Sequence, residues 1–218
     1  RMSYPYGHAG GGAPDNWFYK SAVYHGIDSL QSDSLYVSYY LKVSENFVGH
    51  PSGVNKTLFI VRDDAAAAPL YDATYGFLDD SLRYSVRTQG LKSQNLYATE
   101  PGVNDTIVRG QWYHIELLLV LDTVGTPYGD STGIVKVWKD GTLLMEHTNV
   151  LMWDTTVGER WWNSIKWNPT WGGTGSTLDT VCTPGDGAPC GGGAPANDTL
   201  YFPVGDTMYK YVDNIYVS

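Results

Sequence analysis

The stretch that decides the fold is WYHIELLLVLD, residues 112–122. Tyr113, Ile115, Leu117, Leu119 and Leu121 fall on one face, and Trp112, His114 and Glu116 on the other. A period of two sends successive side chains to opposite faces of a strand, so this spacing predicts a half-buried β-strand with an aliphatic core side. LYVSYYLKV, residues 35–43, repeats the pattern, with Leu35, Val37, Tyr39, Leu41 and Val43 opposed to Tyr36, Ser38, Tyr40 and Lys42. Together they predict two central strands whose named faces are buried.

Working outward, NKTLFIVR (55–62), LRYSVRT (82–88) and MYKYVDNIYVS (208–218) read as further strands, the last with Ile215 and Val217 facing inward. GIVKVWKDGTLLMEHTNV (133–150) carries Asp140-Gly141 between two strand-like runs, a strong hairpin signal. Helical periodicity is nearly absent; AAAAP at 65–69 offers one Ala-rich turn, ended by Pro69. Strands joined by turns without intervening helices predict an all-β, two-sheet antiparallel β-sandwich. The 218 residues suit one such domain, over 17–218, after an irregular Gly/Pro-rich arm at 1–16. A Gly/Pro/Cys-rich loop at about 172–196 is expected to be pinned by a disulfide.

The bulk chemistry excludes several functions. A formal net charge of −9, with 14 scattered Lys and Arg against 23 Asp and Glu, argues against a nucleic-acid partner and disfavours anionic membranes. No apolar run reaches the length of a membrane span, because Glu116 interrupts IELLLVL. Cys182 and Cys190 are the only cysteines, both in CTPGDGAPCGGG, where further metal ligands are lacking. A disulfide there would add roughly 2.5 kcal/mol on the chain-entropy model and implies a secreted, extracellular or cell-surface location. The start at Arg1 shows no signal-peptide pattern, which fits a cleaved leader or a trimmed chain. Sequons at Asn55, Asn104 and Asn197 permit N-glycosylation.

The order LYVSYYLKVS, GQWYHIELLLVLD, GIVKVWKDGTLLMEHTNV, PTWGG and MYKYVDNIYVS resembles the concanavalin A-like jelly rolls. It is most similar to polysaccharide-lyase-like and secreted bacterial glycan-binding domains, over about residues 17–218. In such folds the polar face of a concave sheet lines the ligand groove. The resemblance thus implies that Tyr36, Tyr40, Trp112, His114 and Glu116 point into it. It also implies that Asp213 helps hold a structural calcium ion, whose oxygen ligands would come from adjoining loops such as RDD at 62–64 and GFLDD at 76–80.

Three functions stay open. The leading one is a non-catalytic glycan-binding or adhesion domain with carbohydrate as its partner, using Tyr36, Tyr40, Trp112, His114, Glu116 and Trp162. Half of the eight tryptophans (Trp161, Trp162, Trp167 and Trp171) cluster in WWNSIKWNPTWGG, and adjacent Trp161 and Trp162 would face opposite ways, one core and one exposed. The second is a polysaccharide lyase, a β-eliminase on uronate-containing glycans, with His114, Tyr40 and Lys56 as its groups and Lys42 and Lys166 as further cations. Retaining glycosidase chemistry is disfavoured, since Glu116 has no second carboxylate on its strand. The third is a structural subunit of an extracellular assembly, self-associating by strand addition through the N-terminal arm at 1–16 or through the 172–196 excursion. The remaining histidines, His8, His25, His50 and His147, have no metal-ligand spacing.

Overall fold

A computed structural model describes residues 2–4, 25–26, 32–47, 55–61, 73–79, 81–89, 94–122, 131–152, 162, 164–166 and 208–218. Twelve strands occur among them: β1 (Met2–Tyr4), β2 (His25–Gly26), β3 (Ser34–Val43), β4 (Asn55–Val61), β5 (Ala73–Leu78), β6 (Tyr84–Gln89), β7 (Gln94–Leu96), β8 (Tyr113–Val120), β9 (Gly133–Lys139), β10 (Thr142–Val150), β11 (Ser164–Lys166) and β12 (Met208–Val217). They form two six-stranded antiparallel sheets, ordered β1-β12-β3-β8-β9-β10 and β2-β11-β4-β5-β6-β7. This is the expected β-sandwich.

The two deciding stretches lie side by side. β3 and β8 pair with Leu35 opposite Leu119, Val37 opposite Leu117, Tyr39 opposite Ile115 and Leu41 opposite Tyr113. All ten residues read as core-facing in the sequence are buried. Removing aliphatic surface from water is the main favourable term here, and alternation directs it to one face. Asp140 and Gly141 have φ of 51° and 75°, the positive values that a two-residue hairpin between β9 and β10 requires. Asp140 also caps β8, its Oδ1 accepting the His114 backbone N–H at 2.8 Å.

Two expectations change. The arm is not irregular throughout, because Met2–Tyr4 adds to the edge of β12, with Ser3 opposite Tyr209. Ile215 does not face inward. A register shift between Asp213 and Tyr216, with Asn214 at a φ of 48°, turns the strand and leaves Ile215 50% exposed. Val217, beyond the shift, packs against the core as read.

Some polar groups inside the sandwich meet partners from other strands. Tyr39 and Tyr84, one from each sheet, meet hydroxyl to hydroxyl at 2.8 Å, with Thr57 Oγ1 at 3.4 Å from Tyr39. Lys210, the register partner of Val43, is fully buried; its Nζ donates to the Lys56 carbonyl at 3.1 Å and lies 5.3 Å from the Phe47 ring centre. Burial alone pulls its ammonium down to a pKa of about 7.

The pair Cys182 and Cys190, the loop at 172–196, the 65–69 turn, Asn197, Trp161, Trp167 and Trp171 lie outside the described residues.

Candidate functional site

β3, β8 and β12 present their second face away from the core, and the alternation that buries Leu117 necessarily turns His114 and Glu116 outward. Tyr40 pairs directly with His114, and Ser38 with Glu116. The Tyr40 and His114 rings stack, with centroids 4.8 Å apart and planes 27° from parallel. His114 Nδ1 lies 3.4 Å from Glu116 Oε1, and the Tyr36 hydroxyl donates to Glu116 Oε2 at 2.5 Å. One carboxylate therefore joins an imidazole and a phenol. Burial first, and then Glu116 as acceptor and as charge, push the Tyr36 hydroxyl up to about 12, so it stays protonated at neutral pH.

The face continues toward β12. Trp112 is 44% exposed and Tyr40 40%, and Tyr216, beside Tyr36 at 6.2 Å between ring centroids, is 57% exposed. Lys42 Nζ sits 5.1 Å from the Trp112 ring centre and 4.8 Å from that of Tyr211, held between two aromatic rings. Trp112 and Tyr211 themselves meet edge-on at 6.2 Å. On the far side Lys136 is paired with Glu146 at 2.8 Å.

Five residues singled out in the sequence, Tyr36, Tyr40, Trp112, His114 and Glu116, thus stand together. Trp162 does not join them. It is 3% exposed within the core, so it offers no ring to a ligand. The lyase trio is also divided: His114 and Tyr40 stand on the outer face of the first sheet, whereas Lys56 is on β4 in the second. Thr57, its neighbour, turns to Tyr39 in the core, which directs Lys56 to the opposite face. There burial, and then the charge of Arg87, lower its ammonium pKa. Arg87 Nε and Ser85 Oγ, on the outward side of β6, are buried without a hydrogen-bond partner among the described residues. The sequence reading missed both. Their only signal was alternation with buried Tyr84 and Val86 in a strand with weaker patterning.

Other expected sites separate by burial. Asn55 is buried and its Nδ2 donates to the Leu78 carbonyl at 2.9 Å, so this sequon is closed to a glycan. Asn104 is exposed, its Oδ1 accepting the Thr106 N–H at 2.9 Å. Asp213 is exposed and accepts the Asn214 N–H at 2.9 Å; no group of three or more His, Cys, Asp or Glu gathers around a cation position among the described residues. The loop acids at 62–64 and Asp80, expected to supply the other oxygen ligands of calcium, lie outside the described residues. Nor is any described helix long and apolar enough to cross a membrane.

No protein-family model matches the chain, and no curated protein matches its sequence. Solved structures do. An endo-β-1,4-glucuronan lyase from Trichoderma reesei superposes with a TM-score of 0.52 at 14% identity, over 84% of this chain and 67% of the lyase. The fold is a β-sandwich jelly roll, as in that lyase. A marine alginate lyase from Aplysia kurodai matches with a TM-score of 0.49 at 12% identity, over 86% of this chain and 70% of that one. The carbohydrate-binding module of the Ruminococcus gnavus IT-sialidase, bound to sialyllactose, matches with a TM-score of 0.41 at 8% identity, over 69% and 81%. At 14% identity the likeness to the glucuronan lyase is one of fold.

Proposed function

We propose that this chain is a non-catalytic, extracellular glycan-binding domain that takes a carbohydrate chain on the outer face of the first sheet. The observation that carries the reading is the set of exposed rings Tyr40, Trp112 and Tyr216 on one sheet face, interleaved with Lys42, His114 and Glu116. Sugar rings pack their C–H faces on aromatic planes, and their hydroxyls need donors and acceptors at the rim. The His114–Glu116–Tyr36 network fixes those groups in advance, which lowers the ordering cost of binding. Affinity electrophoresis through gels containing polysaccharides tests it. Wild type is expected to be retarded, and Trp112→Ala to weaken retention by about tenfold or more, as loss of an aromatic anchor does. Absence of retardation across neutral and acidic polysaccharides would remove the reading.

One observation favours a second reading, a lyase acting by β-elimination on a uronate-containing glycan. Lys56 and Arg87 stand close enough on the second sheet for one charge to depress the other, and such a cation pair suits a uronate carboxylate. In that case wild type releases unsaturated products absorbing in the far ultraviolet, and Arg87→Ala abolishes the release. His114→Ala would leave it intact, because His114 lies on the other sheet.

A further inference from the structure

On the described part of the glycan face, each charge but one has a partner of its own. Lys136 is paired with Glu146, Glu116 holds Tyr36 and His114, and Asp213 accepts its neighbour's N–H. Lys42 differs. Its ammonium is fixed by the Trp112 and Tyr211 rings, and none of its three N–H donors meets a carboxylate or carbonyl among the described residues. The rings set the position of the charge without neutralising it.

We infer that Lys42, held between Trp112 and Tyr211, is the specificity-determining residue for an anionic sugar, whose carboxylate or sulfate it binds while the sugar ring packs on the aromatic pair. The inference rests on the glycan-binding reading above and names its ligand class. A chain of net charge −9 repels polyanions, so an acidic glycan is held only where a cation is presented beside a packing surface. A lysine over aromatic faces retains its full charge, and the part of its hydration that the rings displace makes a new charge-assisted hydrogen bond stronger. Position along the strand gives the site a direction. Lys42 follows Tyr40 by two residues, about 7 Å along β3, and Asp213 is the register partner of Tyr40. The anionic group is therefore favoured at the Lys42 end, and a neutral stretch of the glycan near Asp213 and Glu116.

Affinity electrophoresis with three named polymers decides the point: polygalacturonate as the carboxylate source, dextran sulfate as the sulfate source and dextran as the neutral control. Wild type is expected to bind at least one acidic polymer about tenfold more tightly than dextran. Lys42→Gln should remove that preference, Lys42→Arg should keep most of it, and Lys136→Gln, which changes net charge equally on the same face, should leave it. Asp213→Asn should strengthen acidic binding by a few fold. Which acidic polymer responds identifies the source. Equal binding of dextran and both acidic polymers, with Trp112→Ala still weakening retention, would overturn the Lys42 assignment and keep the glycan-binding reading. So would an acidic preference that survives Lys42→Gln. No retention of wild type by any of the three would overturn the inference together with that reading.

Discussion

The hydroxyls of Tyr39 and Tyr84 meet at 2.8 Å in the middle of the core, the first from β3 in one sheet and the second from β6 in the other. Both rings are fully buried, so each hydroxyl needs the other as its partner. Burial raises the pKa of both, Tyr39 to about 12 and Tyr84 well above its usual value.

Tyr84→Phe leaves the Tyr39 hydroxyl with its weaker contact to Thr57, and is expected to cost about 1–3 kcal/mol in denaturant unfolding. The double variant Tyr39→Phe/Tyr84→Phe should cost less than the sum of the singles, since each single variant already removes the bond the two hydroxyls share. Gly76 sets the limit of this arrangement, because a Cβ there would come within 2.2 Å of the Tyr84 hydroxyl oxygen. Gly76→Ala is then strongly destabilising, and Tyr84→Phe in the same chain should recover part of the loss. Strict additivity would show that the hydroxyl is not the obstacle.

Lys210 predicts the shape of the stability curve. Its folded pKa is about 7 against 10.5 for the free side chain, so between those values the unfolded chain binds more protons than the folded one. Stability should therefore rise as pH increases through that window, by at most about 1.4 kcal/mol per pH unit for one proton. Above about pH 10 the raised tyrosine pKa values reverse the trend, because only the unfolded tyrosines lose their protons there. Lys210→Met should be more stable than wild type at pH 7 and lose the rising limb. Urea midpoints measured from pH 6 to pH 11 check both arms; a flat wild-type curve would contradict the buried ammonium.

The pairing of Ser3 with Tyr209 separates a self-contained domain from a self-assembling one. Register partners in an antiparallel pair lie within disulfide reach. Ser3→Cys/Tyr209→Cys is expected to close within one chain and run at monomer mass on a non-reducing gel, with the parent chain as control for Cys182 and Cys190. A ladder of oligomers would instead favour the extracellular-assembly function, with the arm of one copy on β12 of the next.

Legibility of the fold and the site differed for physical reasons. Alternation in LYVSYYLKV and WYHIELLLVLD determined two strands, their buried faces and hence the side on which Tyr36, Tyr40, Trp112, His114 and Glu116 stand, because side-chain direction in a strand is a local property. Asp140-Gly141 likewise determined its hairpin, since positive φ is a property of those two residues. Ile215 was misplaced because a bulge breaks the period without a marker in the apolar pattern. Pairing between distant strands was beyond local reading. Which sheet receives Lys56, whether Trp162 is covered, that Asn55 is enclosed and that Lys42 comes to rest between Trp112 and Tyr211 all depend on strands brought together from far along the chain. Such contacts are decided by the joint burial of both sheets, and only the tertiary structure carries that information.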